Sequence, residues 1–91
     1  MTTVVVNLKR ENYDVYIGRA GQGEDGYFGN PFRGLGRSEA ICQFKRYFET
    51  RVKADAVYRE RVLALKGKRL GCFCKPLACH GDVIAAWVNA Q

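Results

Sequence analysis

The apolar pattern of this chain changes period along its length, and the order of those periods limits its fold more than any other feature. Val4, Val5 and Val6 form a β-branched run that reads as a buried strand, and residues 14–19 alternate, with Val15 and Ile17 on one face and Tyr16 on the other. Helical spacing then takes over. Ser38 has the chemistry of an N-cap, and Ala40, Ile41, Phe44, Tyr47 and Phe48 cover one face of a helix running to about Val52. Asp55 caps a second helix in which Tyr58, Val62 and Leu65 share a face before Gly67 stops it. Residues 68–74 return to strand character, residues 75–81 form a loop containing Pro76, and residues 82–90 form a last helix capped by Asp82, with Trp87 in its apolar face. The order strand, strand, helix, helix, strand, helix predicts a small α/β domain, Rossmann-like or a related layered sheet. The short polar link at residues 9–12 permits a hairpin between the first two strands, and the strand order is left open.

At 91 residues the chain can enclose one core and not two, so residues 1–91 are read as a single domain. No apolar run approaches the length of a membrane span, and the start of the chain passes into a strand without the features of a signal peptide. The expectation is an intracellular, cytoplasmic protein without a membrane partner. A formal charge of +6 favours a nucleotide or nucleic acid as partner. Against this, the basic residues are spread along the chain, as they would be for solubility alone.

In an intracellular chain, four cysteines point to reduced thiols, a metal site or catalysis before a disulfide framework. Cys42 sits in the first helical pattern beside Ile41 and Phe44 and is expected in the core. The other three fall within residues 72–80, with the only histidine. An extended residue 68–74 segment puts Leu70, Cys72 and Cys74 on one face, while Cys79 and His80 follow the loop at the start of the last helix. Cys72, Cys74, Cys79 and His80 together match the thiolate and imidazole preference of zinc, although the usual pattern has two separated ligand pairs. The competing reading is catalytic. Cys79 near a helix N-terminus, with His80 or Lys75 nearby, has the setting of an activated nucleophile acting on a small phosphorylated or nucleotide-like substrate. In the plainest reading Cys72 and Cys74 fill core beside Leu70, and Cys79 and His80 shape a turn.

Residues 20–36 carry six glycines and Pro31, a composition that disfavours helix and strand and makes a long loop of functional type. Within it Asn30 precedes Pro31, which biases Asn30 away from helical geometry; it either faces a ligand or forms an ordinary Asn-Pro turn. Arg19 and Arg37 flank the loop and suit phosphate or carboxylate recognition. Residues 21–23 do not form a phosphate-binding loop, because Glu24 and Asp25 follow and no P-loop lysine is present.

The blocks Tyr16-Ile17-Gly18-Arg19, Gly29-Asn30-Pro31-Phe32, Leu70-Gly71-Cys72-Phe73-Cys74-Lys75-Pro76 and Cys79-His80-Gly81-Asp82 together resemble domain-of-unknown-function family 4326 across nearly the whole chain. The resemblance implies a small α/β domain of the kind seen in bacterial and phage proteins. It also implies that Arg19, Asn30, Cys74, Cys79, His80 and Asp82 form one site, without defining a reaction. Combined with the residue chemistry, the expectation is a domain with a Cys/His zinc site that binds a nucleotide or nucleic acid, or a metal-free enzyme using Cys79.

Overall fold

The computed structural model describes residues 2–21 and 23–91. Strands β1 (Val4–Asn7) and β2 (Val15–Tyr16) are followed by helices α1 (Arg37–Ala54) and α2 (Ala56–Leu63), then by β3 (Arg69–Cys72) and α3 (His80–Asn89). This is the predicted element order, and the domain is of the α/β class.

The sheet is parallel throughout, in the order β1-β3-β2, with Val5 opposite Leu70 and Tyr16 opposite Gly71. The hairpin that the sequence permits is therefore not formed: β3 lies between the first two strands. The link from β1 to β2 passes over β3 on the face away from the helices, and Gly71 makes that passage possible. A Cβ at residue 71 would stand 2.7 Å from Tyr13 Cγ, far inside van der Waals contact. The Asn7 carbonyl accepts the N–H groups of Arg10 and Glu11 and turns the chain out of β1. Asp14 then fixes entry into β2, donating its N–H to the Arg69 carbonyl while its Oδ2 accepts the Arg69 N–H.

β3 ends at Cys72, two residues short of the predicted end at Cys74. Leu8 donates to the Cys72 carbonyl as the last rung; beyond it the chain turns, with Leu77 N–H bonded to the Cys74 carbonyl.

The helices cover the sheet face that carries Leu70 and Cys72. Ala40, Phe44, Phe48 and Val52 recur every fourth residue and form the buried stripe of α1. Phe48 stacks on Phe44 at 5.8 Å and meets Tyr58 and Trp87 edge-on. Each such fully buried apolar side chain contributes about 1.5–3 kcal/mol relative to exposure. Cys42 is exposed, contrary to the expected core position. It lies two residues from both Ala40 and Phe44, which puts it on the opposite side of the helix from the buried stripe. α1 begins after Gly36 rather than at Ser38, and no side chain caps it. Asp55 does cap α2, accepting from Tyr58 N–H at 3.0 Å, and this bond holds its carboxyl below the ordinary carboxylate range. Gly67 follows with φ +78°, a conformation suited to glycine.

The chain start is stapled to both helical ends. The buried Thr3 hydroxyl donates to the Leu65 carbonyl and accepts from Gly67 N–H, each at 2.9 Å. Thr3 backbone groups pair with the Asn89 side chain at the end of α3. Among the described residues, no helix is long and apolar enough to cross a membrane.

Candidate functional site

The carboxyl ends of all three strands open on one cavity of about 920 Å³. Leu8 follows β1, Gly18 and Arg19 follow β2, and Phe73 and Cys74 follow β3; the starts of α1 and α3 complete the wall with Arg37, Ala40, Cys79 and His80. In open parallel sheets this is where ligands bind, because loops and helix N-termini converge there. Of the residues proposed from sequence, Arg19, Asn30, Arg37, Cys72, Cys74, Cys79 and His80 line this cavity; Asp82 does not.

The cavity floor is a pair of sulfurs. Cys72 ends β3 and Cys79 is the N-cap of α3, with 2% and 1% of their surfaces exposed. Their Sγ atoms lie 3.1 Å apart, with Cys79 donating to Cys72. That hydrogen bond lowers the Cys72 thiol below its ordinary range, and the Cys74 and Lys75 backbone N–H groups act in the same direction. For Cys79 the direction is upward, because the proton is held between the two sulfurs and the site is buried. The two thiols thus titrate as one unit, giving up a first proton readily and holding the second. In this arrangement Cys79 is the donor and Cys72 the sulfur whose thiolate the hydrogen bond favours, whereas the sequence places the activated thiol at Cys79.

His80 adjoins the pair. Its Nε2 lies 2.7 Å from the Ile17 carbonyl, which only accepts, so Nε2 carries the proton and Nδ1 turns an unprotonated lone pair towards Cys79 Sγ at 3.6 Å. Burial pushes the His80 pKa down, so the ring is neutral. Among the described residues, no three His, Cys, Asp or Glu side chains are arranged to hold a metal ion. Cys79 approaches both Cys72 and His80, while Cys74 is half-buried against the core.

Asp82 stands at the third position of α3, inside its first turn rather than ahead of it. Its Oδ2 accepts the Cys79 N–H while the Cys79 sulfur accepts the Gly81 N–H, a reciprocal cap. Its other oxygen receives Lys75 Nζ. Asn7 Nδ2 donates to the Lys75 carbonyl. Asp82, Lys75 and Asn7 therefore fasten the loop that presents the thiols.

Asn30 is buried with its amide turned to the fold: Nδ2 donates to the Ala40 carbonyl at 3.0 Å, and Oδ1 accepts the Phe32 N–H at 2.9 Å. Arg19 clamps the same loop, donating from Nε to the Asn30 carbonyl and from Nη2 to the Phe32 carbonyl. Gly29 allows the loop to come this close, since a Cβ there would lie 2.6 Å from the Gly18 carbonyl oxygen. Arg37 makes no hydrogen bond or ion pair within the protein among those described, and it is the cation left free at the cavity wall. Glu24 is the one carboxylate among the cavity residues.

Tyr13, Tyr16 and Phe73 also line the cavity and were not singled out from sequence. Phe73 is 55% exposed and meets Tyr16 edge-on at 6.3 Å. The signal was present: alternation places Tyr16 opposite Val15 and Ile17, and Phe73 opposite Cys72 and Cys74, so both aromatics point away from the core.

Comparison with known families matches residues 6–90 to the family described as Domain of unknown function (DUF4326). The chain belongs to this family. A relative is the phage T4 protein titled "Uncharacterized 12.4 kDa protein in nrdA-td intergenic region". It is 41% identical over 88 residues, covering 93% of this chain and 76% of the phage protein. No solved structure matches the chain significantly. Of the six residues that the DUF4326 resemblance groups into one site, five line the cavity and Asp82 supports the loop behind it. The blocks of this DUF4326 domain thus meet in space at the strand ends, from parts of the chain as far apart as Arg19 and His80.

Proposed function

We propose that this domain binds a nucleotide-sized, phosphorylated ligand in the cavity at the carboxyl ends of its strands, with Cys72 and Cys79 at the floor. The observation that carries the reading is the composition of that wall: Arg37 at the start of α1, which no side chain caps, and the aromatic rings of Tyr16 and Phe73 line the same cavity. Free N–H groups at a helix start and a guanidinium suit phosphate. Aromatic rings at a cavity wall, here the exposed Phe73 and the half-buried Tyr16, suit the flat face of a base. The cavity falls in the range of roughly 300–1,000 Å³ typical of small-molecule sites, and the charge of +6 favours an anion.

Equilibrium titration of nucleoside mono-, di- and triphosphates and of a short single-stranded oligonucleotide, at low salt, tests this. Binding of a nucleotide that weakens by roughly ten- to a hundredfold in Arg37→Ala is expected, the loss of one charged hydrogen bond being on the order of 1.5–3 kcal/mol. Binding of the oligonucleotide alone would move the partner to nucleic acid. No binding of either at millimolar concentration would end the proposal.

A second reading, zinc held by Cys72, Cys74, Cys79 and His80, requires these side chains to move together, since they form no metal-binding group among the described residues, and it is favoured by one observation. The His80 ring is fixed through Nε2 on the Ile17 carbonyl with Nδ1 free, the orientation in which a histidine ligates a metal. About one zinc per chain in purified protein, lost in Cys72→Ser and Cys79→Ser, is its expected signature; a folded protein without metal would remove it.

A further inference from the structure

We propose that Cys72 and Cys79 are a reversible dithiol–disulfide pair that exchanges two electrons with small disulfides entering the cavity. Their sulfurs lie 3.1 Å apart, so about 1 Å of closure brings them to the length of an S–S bond. They come from rigid elements, the end of β3 and the first cap of α3, and both face the same cavity. Of the remaining thiols, Cys42 is exposed on the outer side of α1, and Cys74, half-buried and lining the same cavity, is the one that the test must tell apart from the pair. Neither the nucleotide reading nor its test bears on this chemistry.

The hydrogen bond between the sulfurs orders the steps. Cys72, as thiolate, attacks one sulfur of a small disulfide RSSR, forming a Cys72–SR mixed disulfide and releasing RS⁻, which takes up a proton. Cys79 then gives its proton towards His80 Nδ1, 3.6 Å away, and attacks the Cys72 sulfur. The second RS⁻ leaves and takes that proton. In sum, two thiols and RSSR become one protein disulfide and two RSH, with two electrons passing from the protein to the small disulfide. The reverse sequence regenerates the dithiol from a small thiol.

The burial of both sulfurs and the capping role of Cys79 set the controls. Serine is a preferred N-cap, so Cys79→Ser keeps the start of α3 while removing the resolving sulfur. The test equilibrates the Cys42→Ser protein in mixtures of reduced and oxidised glutathione, with a metal chelator present so that no bound ion masks the sulfurs. Acid quenching, alkylation and mass analysis of peptides follow. The expected result is joint loss of the Cys72 and Cys79 thiols in a peptide lighter by two hydrogens, restored by excess reduced glutathione. Cys79→Ser should instead accumulate glutathione on Cys72. If Cys72 and Cys79 stay reduced while Cys74 is modified, or if no linked form appears in folded protein, the proposal is overturned.

Discussion

Replacing Asn30 separates a residue that holds the fold from one that holds a ligand. In the structure its amide joins the glycine-rich loop to α1 through two bonds, Nδ2 to the Ala40 carbonyl and Oδ1 to the Phe32 N–H, and the side chain is buried. A net hydrogen bond is worth about 0.5–1.5 kcal/mol, and a buried group left without its partner costs more than the bond it lost. Asn30→Ala is therefore expected to lower stability by about 2 kcal/mol, which in a domain of this size corresponds to a fall in Tm of roughly 8–16 °C. Asn30→Asp should be no better, because it keeps the acceptor for Phe32 but sets a carboxylate oxygen against the Ala40 carbonyl. Thermal unfolding followed by circular dichroism gives the shift, and nucleotide titration well below Tm gives the binding. An Asn30→Ala protein that melts with the wild type yet fails to bind would refute the argument and make Asn30 a direct ligand contact.

Thr3→Val keeps the shape of a buried side chain but removes both hydroxyl bonds, to the Leu65 carbonyl and from Gly67 N–H, and is expected to cost about 1–3 kcal/mol in denaturant unfolding; an unchanged midpoint would mean that the staple contributes nothing. Burial holds His80 neutral in the folded protein, while the unfolded chain takes up a proton below about pH 6.5. The stability this ring contributes is thus complete above that pH and declines as pH falls below it. His80 is the only histidine in the chain, so Tm should fall less steeply from about pH 7 to pH 5 in His80→Gln than in the wild type; parallel profiles would contradict the assignment.

The element order was legible because each element carries its own period: Phe44, Phe48 and Val52 mark α1, and Leu70 and Cys72 mark the inner face of β3. Strand order was not, since the choice between a hairpin and a crossing depends on Gly71 lying under Tyr13, a contact between residues 58 apart in sequence, and a short polar link fits either arrangement. Cys42 shows the limit of reading neighbours in place of angles: Ile41 is half-buried and Phe44 buried, yet two residues from the buried stripe is the opposite side of a helix.

In the candidate site, Cys72 and Cys79 could be found because strand alternation and a helix start place them independently. Asp82 was recognisable as part of a cap, though the capping sulfur ahead of it is an uncommon choice and shifted the helix start by two residues. The turn at Asn30 was one of its two sequence readings and fits the bond from Phe32 N–H to its Oδ1; its bond to the Ala40 carbonyl and the clamp by Arg19 were hidden because backbone carbonyls carry no sequence signature.

The central claim is that the strand-end cavity, rather than diffuse positive charge, receives the phosphorylated ligand. Nitrogen–proton correlation spectra recorded during titration with a nucleoside phosphate test it most directly. The account predicts saturable shifts confined to amides around Gly18, Arg37, Ala40, Phe73 and Cys79, which border that cavity. Shifts spread instead over the outward basic side of α1, around Arg46 and Lys53, and lost on adding salt would contradict it.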